Sequence, residues 1–344
     1  MTFLATLFVA ASHIAPDVAT IEYRQPQMAA TSRLVGVAFG SGDGVYFTGS
    51  RDQGRTFSKP VQVGALAKLA LGRHRGPRIS IAGETVVITA IGHADRDVKA
   101  WRSQDAGKTW TGPVVVNDVA GVAGEGLHAM SAGSGGLVFV TWLDLRAQKM
   151  KLYGATSTDG GRTWSKNVRI YESPGGNICE CCHPSALVDA KGDVWAMWRN
   201  ALAGNRDMYL ARSTDGGKTF GEAEKLGAGS WLLNACPMDG GGLALAPDGT
   251  IVTTWRRASD VYVAPRGAVE TRIEAGKDSA IAAAPDGVYA VWSQGGAVRA
   301  RVPGKPDPIV LAAMGGFPQV LAVPGGPVLA AWEHHGRIVV EKVP

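Results

Sequence analysis

The densest chemistry in this chain lies in Ile178-Cys-Glu-Cys-Cys-His-Pro184, which sets three thiols and an imidazole within five consecutive positions. A fourth cysteine follows in Asn234-Ala-Cys-Pro-Met-Asp239. Thiolate, thioether and imidazole form a soft donor set that suits Cu(I), with zinc the alternative. The spacing is not that of a zinc ribbon, which uses two separated Cys-x-x-Cys pairs. Four cysteines in an oxidising compartment can equally make two disulfides. A vicinal Cys181–Cys182 bridge is strained, so Cys236 is the more natural partner for one of the clustered thiols. A free reactive thiol, or one disulfide with two thiols left for a metal, also stays open on the residues alone.

The elements that must position these side chains announce themselves by repetition. Ser50-Arg-Asp-Gln-Gly-Arg-Thr-Phe57, Ser103-Gln-Asp-Ala-Gly-Lys-Thr-Trp110, Ser157-Thr-Asp-Gly-Gly-Arg-Thr-Trp164 and Ser213-Thr-Asp-Gly-Gly-Lys-Thr-Phe220 recur at intervals of 53, 54 and 56 residues. Asp and Ser close tight turns by accepting backbone N–H bonds, Gly supplies angles that a Cβ forbids, and the terminal aromatic folds back as an apolar plug. A period near 50 indicates a propeller or a similar array. The third unit predicts strands over 128–133, 137–144, 150–157 and 167–171, and the same layout fits 78–116, 182–226 and, less cleanly, 25–63. Three later hairpins, 242–255, 280–292 and 320–332, lack the octapeptide but keep the rhythm, each closing on Trp. The prediction is an all-β chain: one β-propeller of four-stranded blades, seven in number with six as the alternative. Pairing of the chain ends would close the ring, with 19–24 as the candidate closing strand.

The octapeptides resemble the Asp-box, or BNR, repeat of the sialidase-like β-propellers. The Cys-x-Cys-Cys element at Cys179–Cys182, followed one unit later by Cys236-Pro237, is similar to a bacterial branch of that family. The resemblance implies that Asp52, Asp105, Asp159 and Asp215 are structural, in turns between third and fourth strands and away from the active face. It also implies sialidase-like candidates. Arg78, in Gly76-Pro-Arg-Ile-Ser-Ile81, matches the first carboxylate-clamp arginine, although Ser80 stands where the family has Pro. Asp95 and Asp97 match an acidic position, and Arg256 or Arg257 a second clamp. Arg337 falls on an outer strand, Tyr289 falls inside a hairpin strand, and no Tyr near the C-terminus has the family's Tyr-Ser setting. Without a placed Tyr nucleophile, sialic-acid hydrolysis is not expected and the catalytic residues stay undetermined.

In a propeller all inner strands begin at one end of the central channel. That geometry gathers His128, Met130, Cys181, Cys182, His183, Cys236 and Met238 at one mouth, with Cys179 beside them. These exceed the four ligands that a copper or zinc ion usually takes, so some must be lining. Trp142, Trp198, Trp255, Trp292 and Trp332 are expected to fill the space between blades.

The 344 residues include 46 Gly and 18 Pro, which argues against a helical bundle. A net charge of +5 without a Lys/Arg run gives no reason to expect nucleic acid. Phe3–Ala11 is too short to cross a bilayer, so no transmembrane segment is expected. It suits the core of a secretory signal over 1–12, with small residues at Ala10-Ala11-Ser12 but no basic residue at Met1-Thr2. The expected protein is thus a periplasmic or secreted propeller, over 13–344, that binds a soft metal ion, copper first. The alternatives are a glycan-processing or glycan-binding protein, and a disulfide-closed scaffold for another periplasmic protein.

Overall fold

The computed structural model describes residues 11–16, 21–146 and 148–344. Their strands form seven separate four-stranded antiparallel sheets, with no helix among the described residues. These are the blades of a seven-bladed β-propeller. Blade 1 runs Arg24–Ala30, Val35–Ser41, Gly44–Ser50 and Val61–Ala65; blade 2 runs Arg78–Ala82, Thr85–Ile91, Val98–Ser103 and Thr111–Val115. Blade 3 comprises His128–Ala132, Val138–Asp144, Lys151–Ser157 and Val168–Tyr171, each within a residue or two of its predicted span. Blade 4 comprises Ser185–Val188, Val194–Arg199, Met208–Ser213 and Glu224–Lys225. The inner strands of blades 5, 6 and 7 are Gly241–Leu245, Lys277–Ala284 and Gly316–Ala322.

Burial follows from position in the blade. Second strands are sandwiched between neighbouring blades, and Val138–Asp144 and Val194–Arg199 are buried at every residue. Such strands read as continuous apolar runs rather than alternating ones. The outer strand Thr111–Val115 is exposed throughout. Trp142, Trp198 and Trp292 expose nothing, and Trp255 and Trp332 are buried with them, filling the wedge between blades as expected. Inner strands carry small side chains where they crowd the axis, among them Ala132, Ala186, Ala282 and Ala322.

The four octapeptides are built alike at the end opposite the inner-strand starts. In the first, Ser50 Oγ lies 2.7 Å from Asp52 Oδ1 and accepts the Gly54 N–H at 2.8 Å. Asp52 accepts the Thr56 N–H at 2.9 Å and the Thr56 hydroxyl at 2.6 Å. The pattern recurs at Asp105, Asp159 and Asp215. The fifth residue of each octapeptide is a Gly in the left-handed region, with φ of 87°, 85°, 83° and 87°. The Thr56 hydroxyl and N–H hold Asp52 down to about 2. All four aspartates are therefore turn-builders.

The chain ends do close the ring, but not through 19–24. Ser12–Ile14 is the outer strand of blade 7 and pairs antiparallel with Ile338–Val340. Arg24 instead begins the inner strand of blade 1. The closing strand is only three residues long and hides a single side chain, Ile14, so it leaves almost no pattern in the sequence. Ser12 Oγ adds a bond to the Arg55 carbonyl at 2.9 Å. Of the expected export signal, residues 1–10 lie outside the described residues. Among those described, no helix is long and apolar enough to cross a membrane.

Ile14 packs in a cluster with Val35, Val37, Ile338 and Val340, joining blade 7 to blade 1. Ile14→Ala is expected to lower the unfolding free energy by about 2–5 kcal/mol. Urea denaturation measures it, and an unchanged midpoint would mean that closure does not depend on this strand.

Candidate metal centre

The segment 178–184 crosses from the outer strand of blade 3 to the inner strand of blade 4, over the end where inner strands begin. Its start is pinned. The Ile178 N–H donates to the Met150 carbonyl at 3.0 Å, and the Cys179 N–H to the Arg199 carbonyl at 3.0 Å. Held this way, Cys179, Cys181 and Cys182 turn inward as a buried group whose three sulfurs all lie within 4.8 Å of one another. The Cys179–Cys182 and Cys179–Cys181 separations are 3.4 and 3.7 Å, against about 2.05 Å for a disulfide. All four cysteines are free, so the two-disulfide alternative is not what this structure contains.

Protons are held tightly on this trio. Hydrogen bonding from Cys181 lifts Cys179 to about 11. Cys181 is lowered by Cys179 but raised more by Cys182 and burial, to about 12. Burial pushes Cys182 up to about 12, while the Arg199 charge pulls the other way. Three neutral thiols in contact, next to a buried cation, form a group that a soft cation can deprotonate and bind.

The expected ligands are not all here. Cys236 is exposed and stands outside the trio. Two residues on, Met238 packs against the three sulfurs, its own sulfur accepting from Arg73 at 3.2 Å. His128 is fully buried between blades 2 and 3, with Nε2 3.0 Å from the Thr89 hydroxyl. Burial first, then the Arg78 charge, holds it well below the ordinary histidine range. Met130 lines the channel, its sulfur 3.8 Å from the Thr89 hydroxyl.

His183 turns to the axis. Its Nδ1 accepts the Gly240 N–H at 3.3 Å, and its ring stacks on His74 with centroids 4.3 Å apart. A Cβ on Gly240 would stand 2.2 Å from the His183 carbonyl oxygen, so only Gly permits this approach. Burial, then the charges of His74, Arg78 and Arg199, keep His183 well below the usual range. His74 Nε2 lies 2.8 Å from Asp278 Oδ1, and the Asp278 N–H donates to Asp239 Oδ2 at 3.0 Å. His74, Asp239 and Asp278 form a second buried group with ligand atoms within 4.8 Å. The sequence reading passed these three over, although His74 and Asp239 stand in the segments that open inner strands. No motif marks Asp278, whose partner His74 is 204 residues away.

The sialidase-like candidates have other employment. Arg78 is buried, and four of its five N–H groups reach backbone carbonyls of His74, Gly76, Pro77 and His128. Burial lowers it to about 10. Asp95 pairs with Lys99, and Asp97 accepts from Asn117 at 2.8 Å and the Gly121 N–H at 2.7 Å. Arg256 donates to the Ala258 carbonyl at 2.6 Å and lies over the Trp231 ring, while Arg257 pairs with Glu270. The Tyr289 hydroxyl donates to Asp286 at 2.6 Å in its hairpin turn. A cavity of about 210 Å³ at the mouth is bordered by His74, Arg78, His183 and Gln319. The larger hollow, about 570 Å³, opens at the opposite end among Gly133, Gly135, Gly136 and Gly160, away from these groups.

Residues 83–252, blades 2 to 5, match the BNR repeat-like domain family. The matched residues carry BNR-like repeats, and they lie within a seven-bladed β-propeller. No curated protein matches it. Among solved structures, this propeller resembles a Hadza microbial sialidase with a TM-score of 0.55 and 13% identity, over 94% of this chain and 66% of that one. It resembles a streptogramin B lyase with a TM-score of 0.60 and 10% identity, over 97% and 98% of the chains. It also resembles an α-L-arabinanase of Penicillium chrysogenum with a TM-score of 0.56 and 14% identity, over 96% and 97%. Identities this low establish shared architecture and nothing about chemistry.

In this propeller Arg78 ties the segment opening blade 2 to blade 3. Arg78→Lys keeps the charge but not the fork that spans these carbonyls. It is expected to cost on the order of 1–3 kcal/mol for each carbonyl left unsatisfied. A thermal or urea midpoint equal to wild type would contradict this structural role.

Proposed function

We propose that this protein is an exported propeller, periplasmic or secreted, that holds one soft metal ion, Cu(I), in the trio Cys179, Cys181 and Cys182. The observation that carries the reading is three buried, unbonded sulfurs within 4.8 Å of one another. A packed core has no need of such a cluster, because three thiols in contact add little that alanine and valine would not. Three thiolates satisfy Cu(I), whereas zinc wants a fourth ligand that the trio itself does not provide. Arg199, buried and close enough to act on Cys182, offsets the negative charge that a copper–thiolate centre carries. Met238, itself partly buried, packs against the three cysteines. Several structural neighbours are glycan-active by name, but the arginines and aspartates that would serve such a reaction here are already committed within the fold.

Metal-free protein is expected to take up one Cu(I) per chain in competition with a chromogenic chelator, and Cys182→Ser to lose it. Binding must displace protons from thiols raised to about 11 and 12. The apparent affinity therefore rises with pH, about tenfold per unit for each proton released. Wild-type copper affinity in Cys182→Ser, or no dependence on pH, would contradict the assignment.

A further inference from the structure

The second group at the mouth belongs to neither the thiol trio nor the fold's ordinary packing. His74 comes from the segment opening blade 2, His183 from blade 4, Asp239 from blade 5 and Asp278 from blade 6. Residues from four blades thus meet over the axis, where crowding by itself calls only for small side chains. The backbone is bent to bring them there. His74, Met238 and Asp278 all adopt left-handed angles, with φ of 65°, 55° and 57°. The same left-handed bulge opens the inner strands of blades 1 and 7, at Gln25 and Phe317, so it is a feature of the repeat that at Asp278 carries a carboxylate. Asp278 sits where the inner strand of blade 6 shifts register, between Lys277 and Ala280.

If the His74–Asp278 pair were only a clasp across the mouth, it would be complete without Asp239. Asp239 is 1% exposed, and although its Oδ2 accepts the Asp278 N–H, its Oδ1 has no hydrogen-bond partner. An oxygen buried and unpaired in this way is costly to keep. Arg78 and Arg199 donate to backbone carbonyls rather than to these carboxylates, and Lys277 Nζ reaches Asp278 Oδ2 at 3.8 Å but leaves Asp239 Oδ1 without a partner. One imidazole and two carboxylates, with a further imidazole stacked alongside, form a donor set for a borderline divalent ion, unlike the all-sulfur trio.

We propose that His74, Asp239 and Asp278, flanked by His183, form a second metal site, for a divalent cation of the Zn2+ class, at the axial mouth. Three side chains would leave a fourth position for water or another ligand, and His74 also borders the 210 Å³ cavity. The site stands whether or not copper occupies the sulfurs, since the two share no ligand.

The test is a Co2+ titration of the metal-free full chain, in wild type and in Cys182→Ser. Cobalt at the proposed site gives visible d–d bands without the near-ultraviolet sulfur-to-cobalt charge transfer that thiolate ligation produces. The expected result is one Co2+ per chain with that sulfur-silent spectrum in Cys182→Ser, displaced by Zn2+. Asp278→Asn and His74→Gln should each weaken it at least about tenfold, while Cu(I) uptake by Asp278→Asn stays at the wild-type level. Should both variants fail to fold, Zn2+ must still raise the melting temperature of Cys182→Ser. A spectrum made up of sulfur charge transfer, unchanged affinity in both variants, or no Zn2+ stabilisation of Cys182→Ser would overturn the site. Loss of Cu(I) binding alone would bear on the thiol trio and leave this site standing.

Discussion

Seven inner strands must converge on one axis, and that crowding governs everything else in this molecule. It demands small residues along the channel, which is where Ala132, Ala186, Ala282 and Ala322 lie. It pushes bulk outward into the wedges between blades, where the tryptophans sit. It also makes the segments that open the inner strands near neighbours in space, whatever their separation in sequence. A chain of this kind can assemble a site from loops over a hundred residues apart with no long-range order beyond ring closure. The three-residue strand Ser12–Ile14 supplies that closure by completing the last blade with the first described stretch of the chain.

The two ends of the propeller are chemically unlike. At one end four aspartates, each satisfied by its own Ser and Thr, finish tight turns and hold no spare valence. At the other, donors are crowded and incompletely satisfied: three thiols raised far above neutrality, the His183 imidazole held low, and a carboxylate oxygen with no partner. Soft donors gather beneath the 178–184 segment, and harder ones gather over the axis. The boundary between them falls at two pairs of adjacent residues, Cys182 beside His183 and Met238 beside Asp239. Arg78 and Arg199, buried in the same region, bind carbonyls and stiffen the platform on which both sets stand.

Much of this was written plainly in the sequence. The octapeptides fixed turn positions, and turns at near-constant intervals placed the strands of blades 2 to 4 within a few residues. Later blades kept enough of the hairpin and its Trp to be counted. The closing strand was missed because three residues with one buried side chain carry no periodicity, whereas 19–24 has the β-branched and aromatic look of a strand. Sulfur clustering was visible in Cys179, Cys181 and Cys182 because these residues are consecutive or nearly so. Cys236 lies outside this group and is exposed, whereas Met238, two residues on, packs against it. The His74–Asp278 contact could not be seen at all, since it joins blade 2 to blade 6 through a register shift that no local pattern signals.

Blade geometry brings three sulfurs together within reach of one ion. X-ray absorption at the copper edge of protein loaded with one equivalent of Cu(I) reads this out directly. Copper held by the trio gives a first shell of three sulfur scatterers at a single distance. A shell dominated by nitrogen or oxygen, or two sulfurs in a linear arrangement that survives Cys182→Ser, would contradict it.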